Sequence, residues 1–329
     1  MNNEFSRRDA LRAATMAAGL GLVQQNVFAQ TSKTIPIVDC HQHLWDLSKQ
    51  NLPWLKENAS LSRNFVMADY LEAIQGTGIA RAVYMEVDVA SDEKVAEAEL
   101  IVDICQKGDS PTAAAVLGCV PDSSGFSEYV RRWKGNPFVK GFRTVLFGTN
   151  ERAVSKDFVK AIRLVGESGF RFDLCASPIG LANGVKLVES CPGTRFIVDH
   201  CGNVEIKAWR KENRNDDASR RMITDWKRDM AALAAKDSTL CKISGIVAQA
   251  PKGWSAEDLA PAINYCLDTF GPDRVVVGSD WPVCLGGASL LDWITALRQI
   301  ISSRPEAEQR KLLFENAVLH YGLEKLAIQ

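Results

Sequence analysis

The sequence predicts a (β/α)8 TIM barrel in the α/β class. Three observations lead there: eight apolar runs of strand length, amphipathic segments of helical spacing between them, and intervals of roughly 25 to 40 residues from one run to the next. The runs are Ile35 to Cys40, Ala80 to Val87, Ala113 to Val120, Val139 to Val145, Phe170 to Cys175, Arg195 to His200, Thr239 to Ile243 and Val275 to Ser279. Each is short and rich in branched or aromatic residues, as a strand buried on both faces requires. Between them, SDEKVAEAELIVDICQK, RNDDASRRMITDWKRDMAALAAK and SAEDLAPAINYCLDTF place apolar residues three and four apart behind Ser or Asp capping residues, the pattern of helices lying against a sheet.

The chain has 329 residues, is 46% hydrophobic and carries a formal net charge of -1, enough to bury a large core in one barrel domain spanning residues 30–329. Near-zero charge excludes nucleic acid as the main partner, because phosphate binding needs a basic face. No apolar run approaches the roughly 18 residues that span a bilayer, so no membrane anchor is expected once a leader is removed. Residues 1–29 read as that leader: SRRDAL carries paired arginines, AATMAAGLGLV is modestly apolar, and Val27-Phe28-Ala29 suits signal peptidase. The segment resembles a twin-arginine leader, which implies export of the folded chain by the twin-arginine machinery to the periplasm or beyond. Nine cysteines without a C-x-x-C read mainly as small buried hydrophobes, with metal thiolates and one or two disulfides as the alternatives.

Only four histidines occur, and two form His41-Gln42-His43 at the end of the first run. His200 closes RFIVDH and Asp280 closes RVVVGSD. Alternate residues of a strand share a face, so His41 and His43 are expected side by side. Active sites in this fold lie at the C-terminal strand ends, where His41, His43, His200 and Asp280 all fall. His320, in the C-terminal helical stretch, reads as a surface or packing residue. A carboxylate among imidazoles can take a proton from water, while cationic or metal-bound groups stabilise an oxyanion.

IVDCHQHLW, VKGFRTVL, FDLCAS, RFIVDHCGN, CKISGI, RVVVGSDWPV and FENAVLHYGL together resemble the amidohydrolase-related proteins of the amidohydrolase superfamily, in particular their sugar-lactonase and pyrone-dicarboxylate-lactonase branch. The resemblance runs from about Ile35 to Leu323 and keeps the motif order along the barrel. It implies hydrolysis of a small cyclic ester, with Asp280 activating water and His200 assisting. It also implies one divalent metal ion, Zn²⁺ by the nitrogen and oxygen donors, held by His41, His43 and Asp280, with metal-free chemistry as the alternative. Binuclear relatives add a lysine or glutamate from strand four and a histidine from strand five. Here those strands offer Phe142-Arg143 and Asp173, which speaks for a single ion.

Glu86, in YMEVDV, is expected near the mouth as a further metal ligand, with a hydroxyl contact or an ion pair as the other readings, and Asp88 is expected on the same side. Arg143 is the cation assigned to substrate, the alternative being an ion pair with Asp173 or Glu86. Trp45 and Trp281 directly follow the His and Asp motifs and are expected to line the pocket. The role of Lys242 stays open. Two loops, Leu44 to Phe65 and Cys201 to Asp217, are long enough to shape the mouth. A metal-dependent decarboxylase or hydratase, and a carbohydrate-binding barrel without turnover, are the competing functional readings.

Overall fold

Eight parallel strands follow one another around a barrel in sequence order: β1 (Ile37–Gln42), β2 (Ile79–Met85), β3 (Thr112–Gly118), β4 (Val139–Val145), β5 (Arg171–Cys175), β6 (Arg195–Val198), β7 (Thr239–Ile243) and β8 (Val275–Val277). A computed structural model describes residues 34–323 apart from 211, 214 and 215, and the side chain of residue 57 is also left undescribed. The leader expected over residues 1–29 lies outside the described residues. Those from Ile35 onward belong to one compact unit. Closure comes past the end of β8, where Asp280 N donates to His41 O at 2.8 Å and His43 N donates to Trp281 O at 2.8 Å. Each expected strand is present, most with ends shifted by one or two residues, and each expected amphipathic segment is helical: Lys94–Lys107, Asp217–Ala234 and Ala256–Phe270. Asp216 accepts from Ser219 N and Ser255 forms a capping box with Asp258, which satisfies the orphan amides of the last two. Among the described residues no helix is long and apolar enough to cross a membrane.

Strand alternation divides the core in two. Val38, Cys40, Val83, Met85, Ala114, Val116, Ile197, Leu240 and Val276 form one buried cluster, closed below by Ala317, Tyr321 and Leu323 of the C-terminal segment. The residues between them, such as Tyr84, Phe172, Leu174, Phe196 and Cys241, pack outward in the larger cluster that the helices cover. Each large aliphatic chain fully removed from water contributes ~1.5–3 kcal/mol, so this alternation fixes strand register. It also fixes which polar residues enter the lumen: on β7 Lys242 shares its face with Leu240, and on β5 Asp173 and Cys175 lie opposite Phe172 and Leu174.

All nine cysteines are buried with free thiols, as the hydrophobe reading expects and the disulfide reading does not. His320 packs at the surface with its Nε2 3.0 Å from Asp273 O. The first long loop is pinched at its base, where Trp45 and Phe65 exchange both backbone hydrogen bonds, and Trp54 Nε1 ties it to Val87 O.

Candidate active site at the barrel mouth

The histidines and Asp280 converge where the strands end. The ring centroids of His41 and His43 are 4.9 Å apart, and those of His41 and His200 are 4.4 Å apart. Asp280 Oδ1 lies 3.2 Å from His43 Nε2 and 3.6 Å from His41 Nε2. The backbone is bent to bring them there. His200 and Asp280 have φ of 55° and 57°, the left-handed region that non-glycine residues avoid and that concentrates at functional sites. Asp39 braces the turn from below, accepting from Ser279 N at 2.7 Å, Ser279 Oγ at 2.5 Å, Tyr70 Oη at 2.8 Å and His41 N at 3.1 Å. Burial pushes its carboxyl up, and these hydrogen bonds work against that push.

Beneath the histidines sits a charged layer. Lys242 Nζ donates to Asp173 Oδ2 at 2.6 Å and Asp199 Oδ1 at 2.9 Å and stands 3.2 Å from His41 Nδ1, with all four side chains fully buried. Burial and then the Lys242 charge hold His41 well below the usual imidazole range, so its ring is neutral. Burial likewise lowers His200, whose Nδ1 is 3.0 Å from Ser244 Oγ. Burial and the neighbouring Asp199 charge raise Asp173 to about 7 even beside Lys242. Burial also opposes the charge of Asp199, but the Lys242 ammonium holds its carboxyl well below the usual carboxylate range.

Arg143 and Glu86 form the second pair. Arg143 Nε donates to Glu86 Oε1 at 2.7 Å and its Nη2 to Glu86 O at 2.7 Å, leaving Nη1 facing His41 Nε2 at 3.2 Å. Lys94 bridges Glu86 at 3.4 Å and Asp88 at 3.3 Å. Despite its burial, Glu86 is held down to about 2 by Arg143 and Lys94.

These placements correct two expectations and select the alternative given for a third. Glu86 is committed to Arg143, Lys94 and the Asp88 amide, so its carboxylate is not among the grouped metal donors. Arg143 is accordingly an ion-pair partner first, with one guanidinium nitrogen left toward the site. Trp45 and Trp281 are each only 2% exposed. They pack edge to face on Phe65 and Trp54, and on Phe65 and Tyr70 respectively, so their rings are taken up by the aromatic core. Sequence reading missed Asp199, Ser244 and the Asp39–Ser279 brace. Period-two alternation along VDH and CKIS carries a signal for the first two, because it puts Asp199 and, two residues past Lys242, Ser244 on lumen-facing positions.

The donor set fits a divalent ion. His43 Nδ1 is 2.9 Å from Met85 O, and a carbonyl only accepts, so Nδ1 carries the hydrogen and the Nε2 lone pair faces the Asp280 carboxylate. Two acceptors 3.2 Å apart in a buried place need a proton or a cation between them. Ligands at about 2.0–2.2 Å around a tetrahedral ion stand about 3.3–3.6 Å apart, close to the 3.2 Å between His43 Nε2 and Asp280 Oδ1 and matching the 3.6 Å between His41 Nε2 and Asp280 Oδ1. His41, His200 and Asp280 also offer ligand atoms within 4.8 Å of one another.

The family model described as Amidohydrolase matches residues 38–323. The chain is 26% identical over 287 residues to an L-fucono-1,5-lactonase of Burkholderia multivorans, covering 84% of this chain and 92% of that one. It is 23% identical over 346 residues to an L-rhamnono-gamma-lactonase of Scheffersomyces stipitis, covering 87% and 98%. An amidohydrolase crystal structure from Burkholderia multivorans with bound zinc superposes with a TM-score of 0.75 at 22% identity, covering 87% of this chain and 99% of that one. With the barrel, the strand-end histidines and aspartate, and a family match over most of its length, the chain belongs to the amidohydrolase family and is a hydrolase.

Proposed function

We propose that this chain is a lactonase that opens the ring of a sugar-derived or similar carboxylic lactone, with Asp280 as the general base. The observation that carries the reading is the setting of that carboxylate. It is 4% exposed, held in a left-handed turn at the mouth, and its salt-bridge partners among the described residues are two imidazoles. A carboxylate set at the mouth among imidazoles is placed to take a proton from water. The names of two relatives, both lactonases, support the substrate class.

Asp280 takes a proton from water as the water oxygen bonds to the lactone carbonyl carbon. Arg143 Nη1, the guanidinium nitrogen not spent on Glu86, donates to the oxygen that gains charge. The tetrahedral centre collapses with cleavage of the ring C–O bond, and the leaving alkoxide recovers the proton from Asp280, giving a hydroxy acid. His43 Nε2 shares that proton with Asp280 in between, because its Nδ1 is fixed as a donor to Met85 O. A divalent ion held by His41, His43, His200 and Asp280 would polarise the carbonyl and acidify the water.

The test is a pH-indicator assay of the purified protein against aldonolactones and pyrone carboxylates. Acid release that Asp280→Asn lowers by at least about a hundredfold, with the fold intact, supports the assignment. Carbon dioxide release instead, or near-normal turnover of the variant, overturns it. We further propose export through the twin-arginine route, checked by cell fractionation with Arg7→Lys and Arg8→Lys together, which should retain the chain in the cytoplasm.

A further inference from the structure

The mouth holds a second group of donors, two of which the lactonase chemistry does not use. Cys175, Asp199 and His200, all buried, offer ligand atoms within 4.8 Å of one another. Cys175 closes β5 on the lumen-facing side, two residues above Asp173, and is 3% exposed. Asp199 follows β6, and its Oδ1 is taken by Lys242. Its Oδ2 is buried and has no hydrogen-bond partner, Arg143 Nη1 standing 3.6 Å away, beyond hydrogen-bond range. A buried carboxylate oxygen that has an ion pair with Arg143 but no hydrogen bond keeps a lone pair free for a ligand.

We propose that Cys175, Asp199 and His200 form a metal seat for a soft divalent ion, distinct from the His41 and Asp280 side of the mouth. Thiolate, imidazole and carboxylate make a mixed set that suits Zn²⁺ or Cd²⁺, and three protein ligands leave a fourth position open, as in catalytic rather than structural zinc sites. The Cys175 thiol gives up its proton to solvent as the S–metal bond forms. His200 belongs to both groups, and with Nδ1 against Ser244 only Nε2 remains to ligate. The two seats are therefore alternatives: a soft ion takes the thiolate side, and a hard ion such as Mn²⁺ takes the side of His41 and Asp280. The proposal stands whether or not the substrate is a lactone.

Metal-free full-length protein is titrated with Co²⁺ alone and followed by absorption. The expected result is a near-ultraviolet thiolate-to-cobalt charge-transfer band that saturates at about one equivalent. Cys175→Ser abolishes the band, and Cys201→Ser, at a neighbouring buried cysteine, keeps it. Bound cobalt without such a band, or a band that survives Cys175→Ser, overturns the proposal. X-ray absorption of the Zn²⁺-loaded unmodified protein decides it independently of whether any variant folds. A sulfur neighbour at about 2.3 Å supports the seat, and a shell of nitrogen and oxygen only refutes it.

Discussion

Replacing Lys242 by methionine probes the charged layer without opening a cavity, since the two side chains are unbranched and of similar length. The ammonium is fully buried with three partners, Asp173, Asp199 and His41, so its removal leaves two buried carboxylates facing each other. Removing one member of a buried ion pair costs about 3–5 kcal/mol. Asp173, already raised to about 7, can take a proton and relieve part of that, which puts the loss near neutral pH at the lower end, about 3 kcal/mol. A domain of ordinary stability, about 5–15 kcal/mol, survives this with a lowered urea midpoint. The sign of the pH dependence follows from Asp173. A carboxyl whose folded pKa lies above its unfolded value adds stability while protonated and loses it as pH rises through the folded value. Without Lys242 that folded value rises further. Urea unfolding of Lys242→Met and the parent, followed by far-ultraviolet circular dichroism at about pH 6 and about pH 8, should show a deficit that shrinks at the lower pH. A deficit below about 1 kcal/mol at the higher pH, or one indifferent to pH, would refute the assignment of Lys242 as the neutralising group of this layer.

Other outcomes follow from the same geometry. Gly245 has a φ of +63°, and a Cβ there would stand 2.3 Å from His200 Nδ1. Gly245→Ala should therefore displace His200 and lower turnover at least about tenfold, besides the ~1–2 kcal/mol of forcing alanine into a left-handed turn. Gly253→Ala, with a φ of +72° and open space around the added atom, should show the stability loss without the kinetic one. Glu97 accepts from Tyr84 Oη and Val87 N, and burial together with the Glu86 charge raises it to about 7, above its unfolded value of 4.5. Its contribution is full below about pH 4.5 and is lost as pH rises through about 7, so Glu97→Gln should flatten the pH dependence of the urea midpoint across that window. Arg143→Lys keeps the charge but cannot reproduce the bonds to the Glu86 carboxylate and carbonyl together with the Nη1 contact, and should lower kcat more than it raises KM.

Much of the site was legible because it rests on period-two alternation and strand ends. His41 and His43 share a side, and His200 and Asp280 follow the ends of β6 and β8, as the barrel requires. What failed in the reading were assignments that depend on which partner a side chain finds across the lumen. Glu86 reads as a metal ligand until Arg143 is seen to reach it from β4, 57 positions away in the chain. The two tryptophans read as pocket walls until Phe65 and Tyr70 close over them.

The sequence by itself determined the architecture, the order of the strands and the end of the barrel at which chemistry occurs, because hydrophobic periodicity and turn residues act locally and leave their pattern in the chain. Only the tertiary structure decided how charge is shared in the mouth. It gave Lys242 to two aspartates and a histidine, spent Arg143 on Glu86, set Asp280 against two imidazoles, and set Cys175 beside Asp199 and His200. In a buried layer the strength of each charge depends on every other charge within a few ångströms. Those neighbours come from different strands, and no local pattern records their distances.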